Sequence, residues 1–201
     1  MSIYNFAPGP SVPCQNEDYV TWEDGFSFEE LDAIETYCER KLQQSKATIG
    51  HVGSQETVDA YRSTSVGWIE LNEETSWFYD KMAYIARHLN AQFYRFDLTG
   101  FQEHMQYTVY NSKSSDHYDW HVDAGAHDTS PRKFSMVLQL TDPYKYTGGD
   151  LLLRTGRDDT VVRKQRGLIS AFPSFRLHKV TPVTSGIRKT IVVWVTGPAF
   201  R

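Results

Sequence analysis

The segment His117-Tyr118-Asp119-Trp120-His121-Val122-Asp123 is where the side chains of this sequence first suggest chemistry. Residues two apart on a strand share a face, so in an extended segment His121 and Asp123 would set an imidazole nitrogen beside a carboxylate. Those are two of the three ligands of the 2-His-1-carboxylate triad that holds non-haem iron. Taken alone, a His-x-Asp pair equally describes two polar residues exposed beside a turn, and a third ligand must come from a distant segment. His88 lies near the end of a predicted helix, where a cation is favourable for structural reasons. His117 and His127 fall in polar loops, and His51 and His104 carry no supporting pattern. His178 is different, because it follows the apolar run Leu168-Ile169-Ser170-Ala171-Phe172-Pro173 and precedes Lys179-Val180.

Ten residues beyond His178 stands Arg188, at the start of Lys189-Thr190-Ile191-Val192-Val193-Trp194-Val195. Strand alternation sets Arg188, Thr190, Val192 and Trp194 on one face and Ile191, Val193 and Val195 on the other. Both faces are largely apolar, as in a strand buried inside a sandwich. An arginine there is either at the exposed strand end or buried, and burial without an anionic partner is costly. A dicarboxylate ligand would supply that partner, since a guanidinium grips a carboxylate through two parallel hydrogen bonds.

The elements that must position these residues can be read from periodicity. Residues 1–25 are rich in proline and glycine and read as an irregular or edge segment. Ser27 is a good N-cap, with Glu29 and Glu30 in the first turn. Phe28, Leu31, Ile34, Cys38 and Leu42 recur at helical spacing, predicting a helix over Ser27–Gln44. His51–Thr64 is polar and breaks the pattern. A second helix is predicted from Asn72 or Thr75 to Asn90, with Trp77, Met82, Ile85 and Leu89 as its stripe. After it come short β segments separated by turn residues: Phe93–Asp97, Glu103–Tyr110, Tyr118–Val122, Lys133–Leu140, Asp150–Leu153, Thr160–Arg163, Gly167–Phe172 and Thr190–Thr196. Many short strands at such spacing argue for an antiparallel sandwich or barrel.

Together these features resemble the Fe(II)- and 2-oxoglutarate-dependent oxygenases, in the prolyl 4-hydroxylase-like (PKHD-type) branch. The match is His121-Val122-Asp123, the distal His178, and Arg188 ten residues further on. Gln106–Tyr110 with Tyr118–His121 is similar to the family's strand, loop and iron-binding strand. Phe134–Leu140 followed by Gly148-Gly149-Asp150-Leu151 resembles its next strand and Gly-Gly turn, and Trp194 is Trp in some family hydroxylases. The resemblance covers residues 93–199. It implies an α+β fold: a double-stranded β-helix (a jelly-roll, cupin-like antiparallel sandwich) with N-terminal supporting helices. The chain is then expected to be one oxygenase domain, mainly helical over 1–92 with the jelly-roll core over 93–201.

The resemblance also implies roles. His121, Asp123 and His178 would bind Fe(II), Arg188 would hold the distal carboxylate of 2-oxoglutarate, and Thr190 or a tyrosine would assist. The loop between Tyr110 and His121 lacks the Pro-Gly or Gly-Gly pair of many relatives, which leaves two candidates for the co-substrate tyrosine, Tyr110 first and Tyr118 second. With O2 as oxidant, the expected reaction is hydroxylation of a prolyl or other amino-acid side chain in a protein or peptide, forming succinate and CO2. A free amino acid or small metabolite is the alternative substrate. Loops 111–117 and 125–132 are expected to flank the metal mouth, with Tyr144 and Tyr146 as a candidate peptide platform. Two rival classes are a non-catalytic cupin-like metal-binding module and a metal-dependent hydrolase. The module gives no reason for Arg188, and the hydrolase needs a base such as Asp119 or His117.

Composition narrows the partners. A formal charge of −4, with no long Lys/Arg run, makes nucleic acid a poor partner. The basic stretch Arg154, Arg157, Arg163, Lys164, Arg166 is interrupted by Asp158 and Asp159 and reads as a solvated strand-and-turn face. An aromatic fraction of 14% supplies a large apolar payload for a core. Two cysteines, Cys14 and Cys38, suggest no disulfide framework. No secretion signal or apolar run long enough for a membrane helix is present, so the expectation is a cytoplasmic protein.

Overall fold

A computed structural model of the protein describes residues 17–47 and 60–198. Its N-terminal part begins with an edge strand, β1 (Val20–Trp22), and helix α1 (Phe28–Lys41). The Ser27 hydroxyl accepts the Glu30 N–H while the Glu30 carboxylate accepts the Ser27 N–H at 2.8 Å, a reciprocal cap that fixes the helix start. Leu31, Ile34 and Cys38 form its buried face. Phe28, read into that stripe from its spacing, is instead exposed, with Arg166 near its ring. Burial pushes the Cys38 thiol up to about 12, so it behaves as a small core residue. Cys14 lies outside the described residues. Helix α1 ends three residues short of the predicted Gln44.

Three short strands separate the helices: β2 (Ser45–Lys46), β3 (Arg62–Ser63) and β4 (Ser65–Ile69). Most of His51–Thr64 lies outside the described residues, but its last part is strand rather than patternless chain. Helix α2 (Ser76–Leu89) buries Phe78, Tyr79, Met82, Ile85, Ala86 and Leu89. Beyond it the expected strand Phe93–Asp97 does not form. Asn90–Tyr94 is a π-helical turn, closed by the Asn90 side chain, which both donates to Phe96 O and accepts from Phe96 N at 2.9 Å. Such local side-chain to backbone bonding competes with a ladder.

The remaining strands are β5 (Met105–Asn111), β6 (His117–His121), β7 (Arg132–Gln139), β8 (Tyr146–Gly148), β9 (Leu151–Thr155), β10 (Asp158–Val161), β11 (Ile169–Pro173), β12 (His178–Val180) and β13 (Val183–Thr196). They build two antiparallel sheets. The larger runs β1-β11-β7-β13-β5-β4-β2, with β8 added along the start of β13, and the smaller runs β10-β9-β12-β6-β3. The non-sequential strand order is that of a double-stranded β-helix.

Period-two alternation gives each central strand of the large sheet two jobs. Met105, Tyr107, Phe134, Met136, Leu138, Ile169, Ala171, Ile191, Val193 and Val195 face the helices in the main core. Tyr110, Val137 and Phe172 face the small sheet, where they meet Leu151, Leu153 and Val180, and Val183 at the start of β13 joins the cluster. Ion pairs from Lys189 to Glu35 and Glu39, and from Arg166 to Asp32, tie α1 to the sheet. No described helix is long and apolar enough to cross a membrane.

Candidate active site

The site lies between the two sheets. In the ladder joining β12 to β6, His178 stands directly opposite His121, and the register shifts just beyond. Cross-strand neighbours come within side-chain contact, and the two imidazole rings are 4.1 Å apart between centroids. Strand β6 ends at His121, so alternation within the strand does not place Asp123. Instead the backbone N–H groups of Asp123 and Ala124 both donate to Ser174 O at 2.8 Å, turning the carboxylate towards the histidines. One ligand atom from each of His121, Asp123 and His178 lies within 4.8 Å of the others. Asp123 Oδ1 is 3.8 Å from His121 Nε2 and Oδ2 is 3.6 Å from His178 Nε2.

Both imidazoles are oriented in the same way. His121 Nδ1 bonds to Asp119 O at 2.7 Å and His178 Nδ1 to Arg176 O at 2.9 Å. Each Nδ1 is thus the protonated nitrogen, which leaves each Nε2 lone pair directed to the common point. Burial disfavours the His121 imidazolium and His178 adds to the effect, lowering it to about 3. Burial alone would raise the Asp123 carboxyl. His178, His121 and Arg132, together with the Ser135 hydroxyl at 2.6 Å, outweigh that and hold it at about 2. Neutral imidazoles and an ionised carboxylate are the forms that bind a divalent metal.

A cavity of about 470 Å³ opens beside these three residues. Arg188, Thr190, Val192 and Trp194 line it from β13, and Gln106, Thr108 and Tyr110 from β5. Arg188 is only 4% exposed, yet among the described residues no carboxylate lies within 4.0 Å of its guanidinium, and its Nε is buried without an acceptor. The Tyr110 ring is 5.3 Å from Arg188 Cζ. Tyr118 is stacked on His121 with 3.4 Å between centroids. Burial raises both phenols, Tyr118 to about 12, so each keeps its proton at neutral pH. Trp194 lies nearer the mouth, with the Arg132 guanidinium 3.8 Å from its ring centre. Arg132 is in turn paired with Glu103 and donates to Asp123 O.

Several expectations about the surroundings change. Loop 125–132 lines the mouth through Gly125, Asp128 and Thr129. Loop 111–117 does not, because it sits at the other end of β6 and borders a separate polar cleft with Ser63–Ser65. Tyr144 is fully exposed, while Tyr146 is buried and accepts a hydrogen bond from Gln139. Neither Asp119 nor His117 lines the cavity, so neither is available as a base to a metal-bound water there. Sequence reasoning missed Arg62 and Trp68, which enter the cavity wall from β3 and β4, and Ser135, which orients Asp123. Ser135 left a trace as the one small polar residue on the inner face of an apolar run. Nothing local marked Arg62 or Trp68.

Residues 105–196 match the model of the 2OG-Fe(II) oxygenase superfamily. A PKHD-type hydroxylase of Synechococcus sp. (strain CC9605) is 39% identical over 88 residues, 43% of this chain and 40% of the relative. The PKHD-type hydroxylase YbiX of Escherichia coli O157:H7 is 34% identical over 89 residues, 41% of this chain and 39% of the relative. The chain thus spans about two fifths of the length of these curated relatives. A prolyl-4-hydroxylase of Pseudomonas putida superposes with a TM-score of 0.71 at 18% identity, covering 90% of this chain and 94% of the other. A prolyl hydroxylase from Trichoplax adhaerens, solved with a hypoxia inducible factor peptide fragment, gives 0.70 at 15% identity, covering 89% and 83%. These structures share the double-stranded β-helix. Residues 105–196, a little under half of the chain, are thus similar to the 2OG-Fe(II) oxygenase superfamily. The curated relatives that it matches in this region are PKHD-type hydroxylases.

The superfamily works with Fe(II), 2-oxoglutarate and O2, and the residues present fit that set. Two imidazoles with free Nε2 atoms and one carboxylate make the 2-His-1-carboxylate donor set of such iron sites. The buried Arg188, with no carboxylate within reach among the described residues, would supply a cation for a dicarboxylate.

Proposed function

We propose that this protein is a non-haem Fe(II)/2-oxoglutarate-dependent dioxygenase that hydroxylates a prolyl or other amino-acid side chain in a protein or peptide. The observation that carries the reading is the convergence of His121, Asp123 and His178 beside a buried arginine with no acidic partner among the described residues. In this assignment the three residues hold Fe(II), and Arg188 holds the distal carboxylate of the co-substrate. Bound Fe(II) with 2-oxoglutarate and O2 supplies the oxidising power, releasing succinate and CO2 as a C–H bond is hydroxylated.

The chain's own contribution is binding, orientation and exclusion of water. The ladder opposing His121 and His178 sets the imidazole geometry, and Ser135 fixes the carboxylate between them. Tyr110, with its proton retained and its ring beside Arg188, is the better candidate for reaching the co-substrate. Tyr118 covers one face of His121 and shields the metal ligand. Thr190 lies on the same strand face as Arg188 and assists it, and Val137, Leu151 and Val192 wall the cavity against solvent. Trp68 and Trp194, 6.3 Å apart between centroids, form an aromatic mouth that would receive the prime substrate. The peptide bound by the Trichoplax enzyme supports a peptide substrate here.

Anaerobic addition of Fe(II) and 2-oxoglutarate to the metal-free protein should give the weak visible charge-transfer band of chelation. A protein that binds Fe(II) without that band would be a metal-binding module instead. Peptide pools, free amino acids and oligonucleotides should then be compared for succinate formation above the uncoupled background. Stimulation by peptides is expected, and stimulation by free amino acids alone would move the assignment to a small-metabolite hydroxylase.

A further inference from the structure

The ladder that sets His178 opposite His121 is short and irregular. In it His178 pairs with His121 and Val180 with Tyr118, so Lys179 alone faces both Asp119 and Trp120. Two residues against one make a β-bulge, which bends a strand and re-aims its side chains. Here the bulge lets Tyr118 and His121, three apart, line the same cavity and stack on each other. Regular alternation would send them to opposite faces of the sheet.

The backbone groups of the two bulged residues are all engaged, as buried and half-buried groups must be. Asp119 N donates to Tyr61 O and the Tyr61 hydroxyl to Trp120 O, both at 2.8 Å. Trp120 N donates to the Asp119 carboxylate at 2.8 Å. Asp119 O accepts from His121 Nδ1 at 2.7 Å, the bond that orients the imidazole. Whatever holds the bulge in place therefore holds the ligand.

Strand β12 is only three residues long and offers little ladder for that task. The outer face of the sheet supplies more. His178 and Leu153, paired across β12 and β9, are buried, so their neighbours Lys179 and Arg154 alternate to the outside. There the Arg154 guanidinium lies 4.3 Å and the Lys179 ammonium 4.7 Å from the Trp120 ring centre. One indole on β6 thus meets cations from β9 and β12, directly behind the two histidines. Arg154 is also paired with Asp159, whereas among the described residues Lys179 has no carboxylate within 4.0 Å. Cross-strand contacts of this kind fix register.

We propose that Trp120 is a positioning residue for the metal centre, its indole stapled by Arg154 and Lys179 so that the bulge stays seated and His121 stays opposite His178. This rests on the metal assignment made above. None of the three side chains lines the cavity, so the staple acts through the strands that carry the ligands.

The test is metal binding, not turnover. A chelating dye competes with the metal-free protein for Mn(II), and the visible bands of bound Co(II) report ligand geometry. Trp120→Leu keeps an apolar side chain without a π face. It should weaken Mn(II) by about fivefold to thirtyfold, the equivalent of two exposed cation–π contacts, and alter the Co(II) bands. Trp120→Phe restores a π face and should recover most of the affinity. Lys179→Met separates the staple from plain electrostatics and does not depend on the Trp120 variants folding. Removing a positive charge beside the site would by itself tighten a dication, whereas loss of one staple contact should weaken Mn(II) by about twofold to fivefold. Unchanged or tighter binding in Lys179→Met would overturn the proposal. So would a Trp120→Leu protein with a lowered Tm but wild-type Mn(II) affinity and Co(II) bands, which marks a merely structural role. A wild-type protein that binds no Mn(II) would instead sink the metal assignment itself.

Discussion

Ser135→Ala is a demanding test of the proposed metal centre, because the serine is not itself one of the proposed ligands and acts only through Asp123. The hydroxyl donates to Asp123 Oδ2 at 2.6 Å, within the short range of an O–H bonded to a carboxylate. Both residues are buried, so water does not replace the lost donor. A hydrogen bond to a charged group contributes about 1.5–3 kcal/mol net. Partners of metal ligands typically change metal affinity by about 10–100-fold when removed, and the two ranges agree. The serine also meets Ser174 Oγ at 3.0 Å, so the variant leaves that hydroxyl a partner short. Competition between the protein and a chelating dye for Mn(II) or Co(II) gives the dissociation constant. The expected result is a loss of about 10–100-fold, with 2-oxoglutarate affinity retained at saturating metal. Ser174→Ala, one bond further from the carboxylate, should cost much less. A dissociation constant within twofold of wild type, or an equal loss in Ser174→Ala, would refute the reasoning.

Other consequences follow from the same geometry. His121 falls from an ordinary 6.5 to about 3 through burial and its neighbour His178, so between those values the unfolded chain binds a proton that the folded one refuses. Stability of the metal-free protein should be complete above pH 6.5 and decline by up to about 1.4 kcal/mol per unit as pH falls towards 3. Urea midpoints across that window in EDTA will show it, and an identical slope in His121→Gln would remove the cause. Ser27→Ala breaks one half of the reciprocal cap on α1 and should cost about 1 kcal/mol. That is a fall of roughly 2–4 °C in Tm for a chain of this size, and no change would mean that this helix end does not limit stability. Gly149→Ala puts a Cβ 2.9 Å from Val183 Cγ2 and 3.0 Å from Arg188 Cδ at φ +59. It should destabilise by about 1–2 kcal/mol and weaken 2-oxoglutarate more than pyruvate; calorimetric affinities equal to wild type for both would refute the second part.

The parts of the site readable in sequence are those built by strict periodicity. On β13 the period of two assigns Arg188, Thr190, Val192 and Trp194 to one face, and the same four line the cavity. The opposite set, Ile191, Val193 and Val195, lies in the core against the helices. His178 was legible because it follows a run too apolar to be exposed. Helix α1 was legible through its cap and its buried stripe, although Phe28 kept the spacing without the burial. Where a local device outweighed the pattern, reading failed: the Asn90 side chain closes a turn in a segment whose composition favours a strand.

Sequence alone singled out His121, Asp123, His178 and Arg188 as the proposed donor set, because those residue types at those intervals are chemically specific once two of them sit on strands. It also determined which face of each central strand is polar, since alternation is a property of the extended backbone. Tertiary structure decided everything that depends on register. The opposition of His121 and His178 follows from one ladder, and that of Arg188 and Tyr110 from another. Asp123 is aimed by the carbonyl of Ser174 fifty-one positions later, and Arg62 and Trp68 reach the cavity from strands whose sequence carries no distinguishing period. Contacts between segments far apart in the chain are set by how sheets pair and pack, and no local pattern encodes the partner.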